Sequence, residues 1–409
     1  MMAQPGTEDG NWAASLVYAA ALSIAFFALS GNGVQAGDLG EATNAYKEKR
    51  YATAAILFRK LADNGIPEAQ VKLAQMFGLG LGVEENSCTA VKWYKAAAEQ
   101  GNADGQYGLA FHYQYGSCLP NDYKLAYKWA LAAAQQGHDD AQVIVGWSFA
   151  NGAGVPKDNT AAKKWYSEAA KRGNEEGEFS LAEILIDGDG GDADTQAALK
   201  LYTSAAEKGH IRSQYELGNY YNRIYEGRPM NVDNAIKWYK AAAQQGMSNA
   251  QAKLGWIYKE GWGVTRDYKQ ALKWYRDAAL QSFPDAEQNL GEMYEFGYGV
   301  VQDYNLAAVW YKTAASHGNV DAQYSLAYFY EKGQGVPQDF FSSYLWYNIA
   351  TSKAEEFTKS GFFQDQRPFL VKHRDEMASK LTNEQLSRAQ ELSTRCMRSF
   401  YKDCGYKDD

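Results

Sequence analysis

The sequence is poorest in the residues that most often build active sites and basic surfaces. Histidine occurs only 5 times in 409 residues, and no His-Glu-x-x-His frame is present. Metal or acid–base chemistry built on histidine is therefore not expected. Cysteine occurs 4 times, at Cys88, Cys118, Cys396 and Cys404, in no zinc-ligand spacing. No Gly-Lys dipeptide exists, which excludes a Walker A phosphate loop. Bases are outnumbered, Lys+Arg 41 against Asp+Glu 49, and no basic run occurs. A net charge of -8 so distributed argues against a nucleic-acid surface. Proline is scarce, 8 against 38 Gly, as in helices punctuated by glycine turns.

Aromatic side chains, by contrast, are plentiful: 14% of residues, with 11 Trp and 30 Tyr. A chain of this length is too long for one compact core. It must form two or three domains, or a solenoid that grows in one dimension.

Charge is missing altogether from Asn11 to Gly37, and Trp12–Leu29 is almost entirely apolar. The small residues of Ser30–Ala36 follow, so residues 1–36 read as a secretory signal peptide ending at Ala36. Glu8 and Asp9 stand where a basic segment is expected. An uncleaved membrane anchor is the alternative, because the apolar run is long enough to span a bilayer. Export makes an even number of cysteines a sign of disulfides. Of three connectivities, Cys88–Cys118 with Cys396–Cys404 is the most local; free thiols are the alternative.

Self-similarity decides the architecture. Glycines close helix-like segments at Gly65, Gly101, Gly137, Gly173, Gly209, Gly246 and Gly318, with Ser282 in the same slot. Counting from each, offset 8 is Leu or Val, as in Leu73, Val145 and Leu254, and offset 9 is always Gly or Ala. Offset 12 is aromatic or Leu, as in Phe77, Leu185 and Tyr258. Offsets 4, 5, 8, 9 and 12 share one helix face, read as the apolar packing face. A Gly-x-Gly-Val turn follows in most copies, such as Gly261, Gly263 and Val264. Three residues later stands Asp or Asn, from Asn86 through Asp267 to Asp339, which predicts an N-cap for a second helix. That helix reads Ala-x-x-Trp-Tyr-x-x-Ala-Ala, as at Ala271, Trp274, Tyr275, Ala278 and Ala279. Each unit is a helical hairpin that cannot bury its own faces, so the units must stack.

These residues resemble the Sel-one-like repeat family, a relative of the tetratricopeptide repeats, over most of the chain. The fold expected is all-α: a right-handed superhelical solenoid of stacked antiparallel helix pairs, about nine units, with a C-terminal helical cap. Residues 37–65 form a degenerate first unit, 66–353 eight repeats, and 354–409 the cap and tail. In the last segment Phe362, Phe363 and Pro368 suggest an irregular insert. A helix over Phe369–Lys380 follows, then another introduced by the capping box Thr382–Gln385. Cys396 and Cys404 would pin that helix to the tail.

Several suggestive stretches reduce to architecture. The loop "EGWGV" looks like a phosphate cradle but recurs in most units. "DGDGGDAD", Asp187–Asp194, looks like a calcium loop, yet Gly191 and Ala198 occupy ligand positions and Asp194 is an N-cap. The histidines read as surface-loop residues. Ser399-Phe-Tyr-Lys402 has no partner motif for a serine nucleophile. Acids at offset 3, such as Asp104, Asp140, Asp285 and Asp321, are explained by the dipole of a first helical turn.

Variation between units carries the functional information. Offsets 6, 10 and 13 vary freely and share one face of the first helix. By analogy with tetratricopeptide arrays this face lines the concave groove. Tyr107, Phe111, Trp147, Phe179, Tyr215, Trp256, Tyr324 and Tyr328 lie on it as candidate anchors for a protein or peptide partner. The reading is an exported scaffold, periplasmic or secreted, and not an enzyme. It has no catalytic residues, cofactor, metal, nucleic acid or small-molecule substrate, and meets the membrane only through an uncleaved N-terminal segment. The alternative, implied by the resemblance alone, is a binder or hydrolase of cell-wall or β-lactam-type compounds.

Overall fold

The computed structural model describes residues 38–188, 194–222, 231–358, 367–399, 401 and 404. The expected signal segment, 1–36, and the middle of the Asp187–Asp194 loop lie outside the described residues. The protein is all-α, with helices in consecutive pairs along a solenoid. Its contacts divide it into two compact units, one up to Ser204 and one from Ala205 onward.

In the first unit α1 spans residues 38–47 and α2 Tyr51–Asp63. The repeats then run α3 (Pro67–Leu79), α4 (Ser87–Glu99), α5 (Ala103–Tyr115), α6 (Tyr123–Gln135), α7 (Asp139–Asn151), α8 (Asn159–Lys171) and α9 (Glu175–Asp187), and α10 (Thr195–Glu207) spans the division. The second unit continues with α11 (Ile211–Tyr221), α12 (Val232–Gln244), α13 (Ser248–Glu260), α14 (Tyr268–Ala279), α15 (Pro284–Phe296), α16 (Tyr304–Ser316) and α17 (Val320–Lys332). It ends with α18 (Phe340–Thr358), α19 (Arg367–Ala378) and α20 (Asn383–Arg398).

The helix boundaries follow from local chemistry. All eight predicted Asp or Asn caps accept hydrogen bonds from the first turn of the second helix of their unit. Asp267, for example, takes the N–H groups of Lys269 and Gln270, each at 3.0 Å. The first helix stops where Gly261 turns left-handed, with φ +67°, and Gly263 repeats this at +68°. Cys118 holds the same conformation, φ +66°, in a slot other units give to glycine. It is bonded there to Cys88, and Cys396 is bonded to Cys404.

Small residues let the helices close on large ones. A Cβ at Gly255 would lie 2.6 Å from the ring of Tyr275. Gly146 stands in the same relation to Tyr166, Gly218 to Tyr239 and Gly291 to Tyr311. Alanines of the second helices, such as Ala242, Ala278 and Ala314, are fully buried around these rings.

One expected feature of the packing face is wrong. Offset 5 is not apolar: it is Gln70, Gln106, Gln142, Glu178, Gln214, Gln251, Glu287 and Gln323, all buried. Six of the glutamines donate to a carbonyl at the end of the preceding helix, at 3.0–3.5 Å, as Gln70 does to Ala62. Those carbonyls lie in a last turn and already accept the N–H of the closing glycine, so each glutamine fills a second lone pair. Gln100, Gln136, Gln245 and Gln281 then donate to the offset-5 oxygens of Gln70, Gln106, Gln214 and Gln251 at 2.8–2.9 Å. Position 5 is thus a polar ladder inside the stack, completed at these four glutamines, whereas the side-chain oxygens of Gln142 and Gln323 find no partner among the described residues.

At the end of the chain α18 is longer than its counterparts, and α19 and α20 pack against it. Trp346, Leu370, Met377, Ala389 and Cys396 share one core there. The capping box of Thr382 and Gln385 is present.

Two stability results are expected. Gly255→Ala drives a methyl into the Tyr275 ring and should cost roughly 1–3 kcal/mol in denaturant unfolding. Gly78→Ala, in a helix with nothing within 4 Å of the new carbon, should be neutral or stabilising by up to about 1 kcal/mol. Equal effects of the two would contradict the close-approach account. Replacing both Cys88 and Cys118 by Ala opens a loop of 30 residues and should cost about 3–4 kcal/mol, read in the same assay.

Candidate functional site

The second unit contains a cleft of about 590 Å³ between its first-position helices. Its walls come from corresponding offsets of successive repeats. Offset 6 supplies Tyr215, Ala252 and Gln288, offset 10 supplies Trp256, and offset 3 supplies Asn249, Asp285 and Asp321. Trp256 is 36% exposed and packs beside Trp262 of the glycine turn, ring centroids 5.5 Å apart. Tyr275 reaches the cleft from the second-position helix α14, and Lys253 is exposed in its lining.

The acidic side of the cleft is organised by bonds between repeats. Asn319 donates from Nδ2 to Asp285 at 2.8 Å while its own oxygen caps α17. Asn289 donates to the Asp285 carbonyl and accepts from the Lys259 ammonium at 3.0 Å. Lys259, 8% exposed, also binds Glu292 at 2.8 Å. Asp321 is exposed, yet the protein packed around its carboxyl, then the charges of Asp285 and Glu292, raise it above the usual carboxylate range. Burial, and then Glu292, likewise raise Glu295, although a hydrogen bond from Tyr311 opposes this.

The candidate anchors do not behave alike. In the first unit Phe111, 40% exposed, lies against Tyr115, and Trp147 is half-buried beside Tyr123. Tyr107 is stacked on His138 with centroids 4.5 Å apart. Phe179 is not a surface anchor: it is 3% exposed and packs on Tyr202. In the second unit Tyr215 and Trp256 both line the cleft. Tyr324 is instead covered by the chain's own α19, through Phe369 and His373. Tyr328 carries the ammonium of Lys332 over its ring.

The histidines are not loose surface residues either. His138 and His210 are helix caps that accept the backbone N–H groups of Ala141 and Ser213. His112 is buried, and His317 pairs with the buried Glu287 at 2.8 Å. Among the described residues one group, His138, Asp139 and Asp140, brings three metal-type ligand atoms within 4.8 Å. Its members already serve the fold. His138 caps α7 and lies 3.4 Å from Asp104, and Asp140 accepts from Asn174 at 2.7 Å. The Ser399 hydroxyl donates to the Cys396 carbonyl. Lys402 lies outside the described residues.

The model of the Sel1 repeat matches eight consecutive segments: 67–102, 103–138, 139–174, 176–210, 211–247, 248–283, 284–319 and 320–354. The chain belongs to the Sel1 repeat family. Among solved structures it is similar to c5321, described as a protective antigen present in uropathogenic Escherichia coli strains displaying an SLR fold. The identity is 29% and the TM-score 0.57, over 91% of this chain and 86% of that one. A Sel1 repeat protein from Oxalobacter formigenes is 31% identical with TM-score 0.54, over 59% of this chain and 96% of the other. No curated protein matches the chain significantly. Among the described residues no helix is long and apolar enough to cross a membrane.

Within this Sel1 array, the sequence pattern missed Glu331 and His373. Glu331 accepts from Lys332, from the Tyr347 hydroxyl at 3.1 Å and from His373 Nδ1 at 3.2 Å, tying α19 to α17 and α18. Offset 13 marks Glu331 only as variable, and His373 lies outside the repeats. Burial alone would raise the Glu331 carboxyl, but the hydrogen bonds from Lys332, Tyr347 and His373 outweigh it and hold the group below its usual range. A depressed carboxylate stabilises the fold above its unfolded pKa and loses that contribution as pH falls through the folded value. Glu331→Gln should therefore melt lower than the wild type at pH 7, and the gap should close towards pH 3. A gap unchanged across that range would contradict the ionised role of Glu331.

Proposed function

We propose that the protein is an exported, non-catalytic scaffold that binds an extended segment of a protein partner along the variable face of its first-position helices. In the second unit the binding place is the cleft around Trp256. The observation that carries this reading is the part-exposed indole of Trp256 within a cleft walled by Asn, Asp and Gln side chains from successive repeats. Aromatic anchors ringed by polar groups are the usual composition of binding hot spots. Successive repeats present these groups at a regular spacing, which suits an extended chain.

Two observations support export. Both cysteine pairs are disulfides, which persist in oxidising compartments. The similar Escherichia coli protein is described as a protective antigen. With the apolar segment of residues 11–37, these favour a location outside the cytoplasm, with or without cleavage after Ala36.

The test is recovery of partners on the immobilised full chain. Trp256→Ala should reduce the yield of a specific partner roughly tenfold or more, and Trp147→Ala tests the equivalent position of the first unit. Equal recovery by wild type and Trp256→Ala, with unchanged melting curves, would exclude the cleft as the binding place.

A further inference from the structure

The cleft holds polar atoms that the fold leaves without partners. Tyr275 is 1% exposed, lines the cleft, and its hydroxyl has no hydrogen-bond partner among the described residues. Three of its counterparts are satisfied within the fold. Tyr239 donates to Asn219 at 2.8 Å, Tyr311 to Glu295 at 2.5 Å, and Tyr347 to Glu331 at 3.1 Å. Those acceptors stand at offset 10 or 13 of the helix they face. In the unit of Tyr275, offset 10 is Trp256, which offers no acceptor. Offset 13 is Lys259, whose ammonium is turned to Asn289 and Glu292. A second orphan lines the same cleft: Asn222 Oδ1 also lacks a partner among the described residues. Buried groups left unpaired destabilise a fold, and a ligand that completes them recovers that loss on binding.

The rest of the lining indicates what would complete them. Asp285 and Asp321 put two carboxylates in the cleft, and Glu292 stands close enough to raise Asp321 further. Asp285 takes one bond from Asn319 and keeps lone pairs to spare. The lining cation, Lys253, is exposed and can turn outward. The cleft is therefore rich in acceptors, short of positive charge, and edged by an indole.

We propose that the cleft receives an arginine side chain of the protein partner. The guanidinium donates to Asp285 and Asp321 and lies against Trp256, while the Tyr275 hydroxyl donates to a carbonyl of the same peptide and Asn222 Oδ1 accepts from one of its N–H groups. Acceptors spread over several helices suit a planar group with five donors better than a compact ammonium. Stacking on Trp adds attraction for the same cation. The inference rests on the peptide-binding reading above and assigns the chemistry of its central contact.

The test uses the full chain labelled with 5-fluorotryptophan, with the Trp256 signal assigned from Trp256→Phe. The probes are acetyl-Gly-Arg-Gly-amide, its citrulline and lysine analogues, and an N-acetylglucosamine trimer. The arginine peptide should shift the Trp256 signal saturably, and citrulline should weaken this on the order of tenfold. The lysine peptide should bind more weakly than arginine. Asp285→Asn/Asp321→Asn should lose the response. Tyr275→Phe, which removes only an unpaired hydroxyl, should melt no lower than the wild type yet bind the peptide less well. Overturning results are equal binding of arginine and citrulline, full affinity in Tyr275→Phe, no saturable shift with arginine, or a response to the sugar alone. If Asp285→Asn/Asp321→Asn keeps a partner that Trp256→Ala loses, the arginine contact is wrong and binding in the cleft stands.

Discussion

The contact on which the structure turns is an aromatic ring laid against a glycine. In four units the tyrosine of the second helix lies over the glycine at offset 9 of the first, with no room for a methyl between them. This contact sets how closely the two helices of a unit pack. It also has a chemical outcome. The ring runs past the glycine and carries its hydroxyl towards offsets 10 and 13, which vary from unit to unit. A residue of the core thus carries a polar atom to the underside of the face that can bind. Where offset 10 or 13 is Asn or Glu, the hydroxyl is paired and the unit is self-contained. Where Trp256 and Lys259 stand instead, it is left unpaired beside a cleft.

Features fixed by short-range geometry were legible in the sequence. An Asp or Asn three residues past the turn valine has few roles other than capping the next helix, and each of the eight does so. The left-handed turn glycines, and Cys118 in one of their slots, could be placed from spacing for the same reason. The polar ladder at offset 5 was misread as apolar because one-dimensional periodicity reports which face a residue occupies. It does not show that a carbonyl at the end of the preceding helix faces that position with a lone pair to spare. Gln70 and Gln100 recur in register, but only three dimensions show that they meet.

The candidate site was partly legible by the same logic. Comparing the units pointed to Trp256 because its slot is otherwise filled by residues as different as Glu and Asn. Phe179 shared the variable face and proved to be core, since a helix face is not uniformly exposed along its length. Tyr324 was lost to the site for another reason. The helix α19, which has no counterpart among the repeats, lies on it through Phe369 and His373. A repeat pattern cannot foresee a contact made by a segment outside the pattern. Nor could it foresee the orphan hydroxyl of Tyr275, which follows from where Lys259 turns.

The central claim is that packing residues are shared by all units while binding is confined to the variable face of the first-position helices. Site-specific photo-cross-linking tests it most directly. A photoreactive residue at Ala252, in the cleft of the second unit, should form an adduct with the bound partner, whereas one at Lys273, exposed on α14, should not. Adducts from Lys273 with none from Ala252 would contradict the account.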